Sequence, residues 1–153
     1  MNKFLLIAAL AVAGYYALLP EPGGPSRPET YSGQRQTAAA GQQAEASLEH
    51  AYLNRLSNQQ LAGEGTVVKL LPDDNTGSRH QRFIVKLNSG RTLLIAHNID
   101  LAPRMDRLRE GDVVEFYGEY EWNAKGGVMH WTHHDPQGRH PGGWVKHNGR
   151  TYE

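Results

Sequence analysis

Apolar residues recur at a period of two along much of the C-terminal part of the chain. Between residues 81 and 87, Phe83, Val85 and Leu87 alternate with Arg82, Ile84 and Lys86, so one row of side chains faces a core and the other faces mostly solvent. A Val- and Leu-rich run over 65–71, ended by the turn residues Asp73-Asp74-Asn75-Thr76-Gly77, gives a strand before it. Residues 92–97, reached through Asn88-Ser89-Gly90, give a third. Leu101, Met105 and Leu108 then fall at helical spacing between Pro103 and Gly111, which predicts a short helix. Residues 113–122 form a fourth, long strand, and residues 128–133 a fifth beyond the turn at 123–127. Three strands, a short helix and two strands is the element order of the OB-fold, so 63–153 is expected to be a mostly β, five-stranded OB-like barrel. The rival is a barrel-like sandwich with the same strand count.

Upstream, Leu48, Tyr52, Leu56 and Leu61 recur near helical spacing, and Gly63 stands where a C-terminal cap belongs. One amphipathic helix over 44–62 is expected to lie on the barrel. Residues 20–43 are rich in Pro, Gly, Gln, Ser and Ala with hardly a large apolar side chain, which predicts a disordered tether. Residues 4–19 carry no charge and end at Pro20-Glu21-Pro22. That stretch is long for a signal-peptide core and just short of an ordinary span. The expectation for 1–19 is an uncleaved signal anchor in the inner membrane, with Lys3 cytoplasmic and the rest periplasmic. The alternative is a cleaved signal around Ala11-Val12-Ala13, releasing a secreted protein.

Charge changes the picture by what it excludes. Lys plus Arg and Asp plus Glu both number 16, so a strongly basic binder that lives on phosphate neutralisation is disfavoured. The absence of cysteine removes disulfides, thiolate metal sites and a Cys nucleophile. Histidine is the unevenly placed residue: four of the eight fall between His130 and His140.

On an extended strand His130 and His134 are about 13 Å apart and cannot share an ion. Asp135-Pro136-Gln137-Gly138 has the residue order of a type I turn, and strands continuing past it would set His133 opposite His140. His133, Asp135 and His140 are thus the expected ligands of a divalent metal, zinc or another first-row ion, with His97 or His80 reaching in from neighbouring strands. His130 or His134 would then serve as base in a metal-dependent phosphodiesterase or nuclease. Alternatively the cluster is a metal-free binding surface, or a hydrogen-bonded turn capped by Asp135. Aromatic and basic residues suggest the binding surface. His80, Arg82 and Lys86 line one strand face, Trp144 sits among glycines outside the periodic strands, and Trp131, by period a core residue, lies beside them. OB barrels bind single strands or sugars on such surfaces. Phosphate loops, nucleophile elbows and a convincing serine triad are missing.

The run Gly126-Gly127-Val128-Met129-His130-Trp131-Thr132-His133-His134-Asp135-Pro136, with His140, Gly143-Trp144 and Tyr152, resembles a bacterial family of small exported proteins with a domain of unknown function. The stretches 96–103 and 111–114 match the same pattern. The resemblance covers about 63–153 and implies a shared OB-like barrel but no activity. The functions that follow are an exported, membrane-tethered module binding an oligonucleotide or other polyanion, the metal-dependent phosphodiesterase, or a structural or protein-binding envelope module. The oligomeric state is open.

Overall fold

Seven strands and one helix make up the described part of the chain, residues 30–153 of a computed structural model. The expected membrane segment and the first part of the tether lie outside those residues. Helix α1 spans Thr30–Leu53, and the strands are β1 Gln59–Leu70, β2 His80–Lys86, β3 Thr92–Asn98, β4 Val113–Glu121, β5 Val128–His130, β6 Trp144–His147 and β7 Arg150–Tyr152.

Five of these strands close on themselves. β1 pairs antiparallel with β2, β2 with β3, β5 with β4 and β4 with β1, while β3 and β5 run parallel. The alternation read from the sequence is realised at its core. Phe83, Val85, Ile95, Val114, Phe116 and Met129 point inward and are fully buried, whereas Arg82 and Ile84 are half-buried and Lys86 is exposed. β6 and β7 extend the sheet beyond β4 as a hairpin turned by Asn148 and Gly149, both at positive φ (50° and 76°), the pairing an Asn-Gly turn favours.

β4 organises the site. One edge pairs along its length with β1, from Gln59↔Tyr120 to Thr66↔Val113. The other edge is divided: Glu119–Glu121 pair with β5 and Val114–Tyr117 pair with β6. Gly118 lies at the division, where the chain leaves β5 and loops through 131–143 before returning as β6. A Cβ there would stand 2.3 Å from the His130 carbonyl oxygen, so only glycine lets the loop depart so close to β4.

Several expectations need correction. The helix begins at Thr30, within the segment read as tether, because the Ala and Gln residues abundant over 34–43 are good helix formers even without an apolar stripe. It stops at Leu53, where Arg55 adopts a left-handed φ of 53° and Asn54 bonds back to the His50 carbonyl. Gly63 is not its cap. It sits in β1, where a Cβ would strike Phe116 and Leu48, so its bareness lets the helix's Leu48 reach the barrel. Arg91 fixes the helix further: its guanidinium pairs with Glu49 at 2.7 Å and lies 3.5 Å from the Tyr52 ring centre.

The short helix expected near 103–111 is a series of turns. Side chains take the backbone groups a helix would use: Gln81 bonds both N–H and C=O of Met105, and Asp112 accepts from the Arg109 N–H. The inward residues are Ala102, Met105 and Leu108, while Leu101 is exposed. The fifth strand is also shorter than expected. It ends at His130 because Trp131 turns to a φ of 51°.

Candidate functional site

The sharp bend at Trp131 separates the residues around it, 130–134, between the barrel face, the interior and solvent. His130 remains in β5, opposite Glu119, on the outer face of the barrel. Trp131 is half-buried rather than in the core, and its ring stacks on His140 with centroids 4.0 Å apart and planes 10° apart. Thr132 turns inward and is fully buried. His133 is buried as well, with Nδ1 donating to the His134 carbonyl at 2.8 Å, and His134 itself is exposed.

His97, expected to reach a surface site, lies instead in the interior. Its Nε2 faces the Pro103 carbonyl at 3.3 Å and its Nδ1 faces the Thr132 hydroxyl at 3.0 Å. One nitrogen donates and the other accepts, which is the pattern of a neutral ring. Burial pushes its pKa down to about 4, against the two hydrogen bonds, and nearby His133 acts in the same downward direction.

The turn is the expected one, with the Gly138 N–H bonded to the Asp135 carbonyl at 3.1 Å. Asp135 is fully engaged in holding it. Oδ1 accepts from the Gln137 N–H, and Oδ2 accepts from the Arg139 and His140 N–H groups at 2.7 and 2.9 Å. These backbone donors, from Gln137 first, hold its carboxyl below the usual range. Beyond the turn His133 pairs with Gly143 rather than His140. The ligand set expected at His133, Asp135 and His140 therefore does not converge: Asp135 serves the backbone and the two imidazoles are in different registers.

A different cluster forms on the outer face. His140 Nδ1 donates to the Pro141 carbonyl at 2.8 Å and its Nε2 lies 2.6 Å from Glu119 Oε2. With acceptors at both nitrogens the ring favours its protonated form. Burial acts downward on its pKa, but Glu119, the Pro141 carbonyl and Asp135 together leave it raised. Glu119 Oε1 faces His130 Nε2 at 3.3 Å, and Glu121 Oε1 lies 4.0 Å from the same nitrogen. Burial lowers the His130 pKa despite both glutamates. Among the described residues, Glu119, Glu121 and His130 are the group whose potential ligand atoms lie within 4.8 Å of one another. The two glutamates were missed in the sequence, although counting outward from the turn at 123–127 sets Glu121 opposite Val128 and Glu119 opposite His130.

Beside this cluster opens a pocket of about 500 Å³ walled by Leu101, Trp131, Asp135, Pro136, Gln137, Arg139 and His140. Its wall joins a planar stacked pair to a cation. Of the other expected binding residues, His80, Arg82 and Lys86 project outward from β2. His80 Nδ1 bonds the Ser78 carbonyl, and Arg82 reaches the Pro72 carbonyl and Asp74. Trp144 lies across from Tyr117 in β4, with ring centroids 6.3 Å apart.

Residues 34–153 match a family described as Protein of unknown function (DUF3465). No curated protein matches the chain.

Proposed function

The chain belongs to that family of proteins of unknown function, and from the geometry of its loop 131–143 we propose that it is an OB-type module binding a single-stranded oligonucleotide. Two features support the OB reading: the closed order β1-β2-β3-β5-β4 and the parallel pairing of β3 with β5. The single observation that carries the binding reading is the Trp131–His140 stack in the wall of the pocket, with Arg139 in the same wall. A ring pair of this kind offers a face for a base, and a neighbouring guanidinium meets phosphate. The outer row Lys86, Arg82, His80 runs along β2 toward the end of β3, and the chain leaving β3 supplies Leu101 to the pocket wall. This gives a backbone a path into the site. The charge-free stretch 4–19 supports an exported module tethered to the inner membrane. Among the described residues no helix is long and apolar enough to cross a membrane.

Titration of the full chain with oligothymidylate, followed by tryptophan emission, tests the reading. Quenching should saturate, and affinity should fall as salt rises. Trp131→Ala and Arg139→Ala should each weaken binding about tenfold or more, the loss expected for a stacked base or a phosphate contact. Saturation by polyphosphate with indifference to Trp131→Ala would replace the oligonucleotide by a generic polyanion. No saturation by either would reject the proposal.

A further inference from the structure

We propose that Glu119, Glu121 and His130 bind a first-row divalent metal ion such as Zn²⁺. This does not rest on the oligonucleotide reading. It starts from a local imbalance of charge and hydrogen bonding.

Glu119 and Glu121 stand two residues apart on β4, which puts both carboxylates on the same outer face. Among the described residues neither ion-pairs with a lysine or arginine; their partners are His130 and His140. His140 takes up Oε2 of Glu119 and leaves Oε1 directed at His130. His130 Nε2 is shielded from solvent and makes no hydrogen bond. Its 3.3 Å approach to Glu119 Oε1 satisfies the distance of an ion pair but not the alignment of a hydrogen bond. A shielded, unsatisfied imidazole nitrogen beside two carboxylate oxygens is costly unless something binds all three.

The spacing fits a shared cation. Ligand atoms about 2.0–2.2 Å from a tetrahedral ion are about 3.4 Å apart, close to the 3.3 Å between His130 Nε2 and Glu119 Oε1. Glu121 Oε1, at 4.0 Å, has to swing inward by a fraction of an ångström. Imidazole plus carboxylates is a donor set for Zn²⁺ or Mn²⁺ rather than for Ca²⁺ or Mg²⁺, which take oxygen ligands. His140, bonded to the far oxygen of Glu119, is a positioning residue that holds the carboxylate in place. Three protein ligands would leave a fourth coordination position open.

The test is titration of the purified full chain with Zn²⁺ and Mn²⁺ by calorimetry, with Mg²⁺ and Ca²⁺ in parallel. One ion should bind per chain, with Mg²⁺ and Ca²⁺ far weaker. His130→Ala and Glu121→Gln should each lower Zn²⁺ affinity by more than 100-fold, and His140→Gln by about 10–100-fold as a residue acting through Glu119. His134→Ala, on the exposed side of the loop, should bind as the unmodified chain does. Melting curves without metal verify that each variant is folded, and the visible spectrum of the Co²⁺ form reports nitrogen and oxygen ligation independently of affinity. Absence of saturable Zn²⁺ or Mn²⁺ uptake overturns the proposal. So does unchanged affinity in a folded His130→Ala variant.

Discussion

The carboxamide of Gln81 pairs with the backbone of Met105 as a neighbouring strand would. Its Nε2 donates to the Met105 carbonyl at 3.1 Å, and its Oε1 accepts from the Met105 N–H at 2.9 Å. Both residues are buried, Gln81 at 4 % exposure. The connection between β3 and β4 is thus fixed to β2 by one side chain.

Gln81→Leu keeps the size of that side chain and removes both bonds. Two buried backbone groups then lack partners, at about 1–3 kcal/mol each, so urea unfolding should show a loss of about 2–6 kcal/mol. Arg82→Ala, one residue along on the outer face, should cost about 1 kcal/mol or less. Comparable losses in the two variants would show that the Gln81 pair does not hold the connection.

His97 gives the stability a dependence on pH. Its folded pKa is about 4, and in the unfolded chain it returns to about 6.5. Between these values the unfolded state takes up the proton first. The contribution is therefore fully present above about pH 6.5 and is lost as pH falls toward 4, amounting to about 3 kcal/mol. His130, also lowered by burial, adds to the same slope. Denaturant unfolding at pH 7.5 and 5.0 should show the decline, and His97→Gln should flatten most of it. A ring resonance of His97 that titrates between pH 7 and 6 in the folded protein would contradict the assignment.

Gly118→Ala should disturb the site without touching a functional side chain. The new methyl would meet the His130 carbonyl at 2.3 Å and the Thr132 Cγ2 at 2.9 Å, an overpacking that costs about 1–3 kcal/mol. Gly142→Ala, whose nearest neighbour would be 3.6 Å away, should lie within about 0.5 kcal/mol of the unmodified chain. The near-ultraviolet signal of Trp131 should change in the first variant and not in the second.

The strands that cross the core were legible because burial on one face imposes a period of two: Phe83, Val85, Leu93 and Ile95 are all buried. Where the chain is held by individual side chains, periodicity misleads. Leu101, Met105 and Leu108 have helical spacing, yet Gln81 and Asp112 hold that stretch as turns. Asn148-Gly149, a direct hairpin signal, carries β6 into β7 beyond the five strands that the alternation marks. Asp135 was legible as a turn residue, and its turn role consumes the oxygens a metal would need. The pairing of His130 with Glu119 depends on register across a turn and not on any motif, so the histidine-rich loop is conspicuous in the sequence while the glutamates opposite it are not.

The double use of β1 bears on how the chain reaches its folded state. β1, β2 and β3 can zip together as a local meander, since each follows the last in sequence. The second edge of β1 must wait for β4, whose partners lie roughly fifty residues or more away, from Thr66↔Val113 to Gln59↔Tyr120. Loop closure of that length precedes its reward, which places such a barrel among domains folding in milliseconds to seconds. Until β4 arrives, β1 offers a long row of unpaired amides, and a second nascent copy is the competitor for that edge.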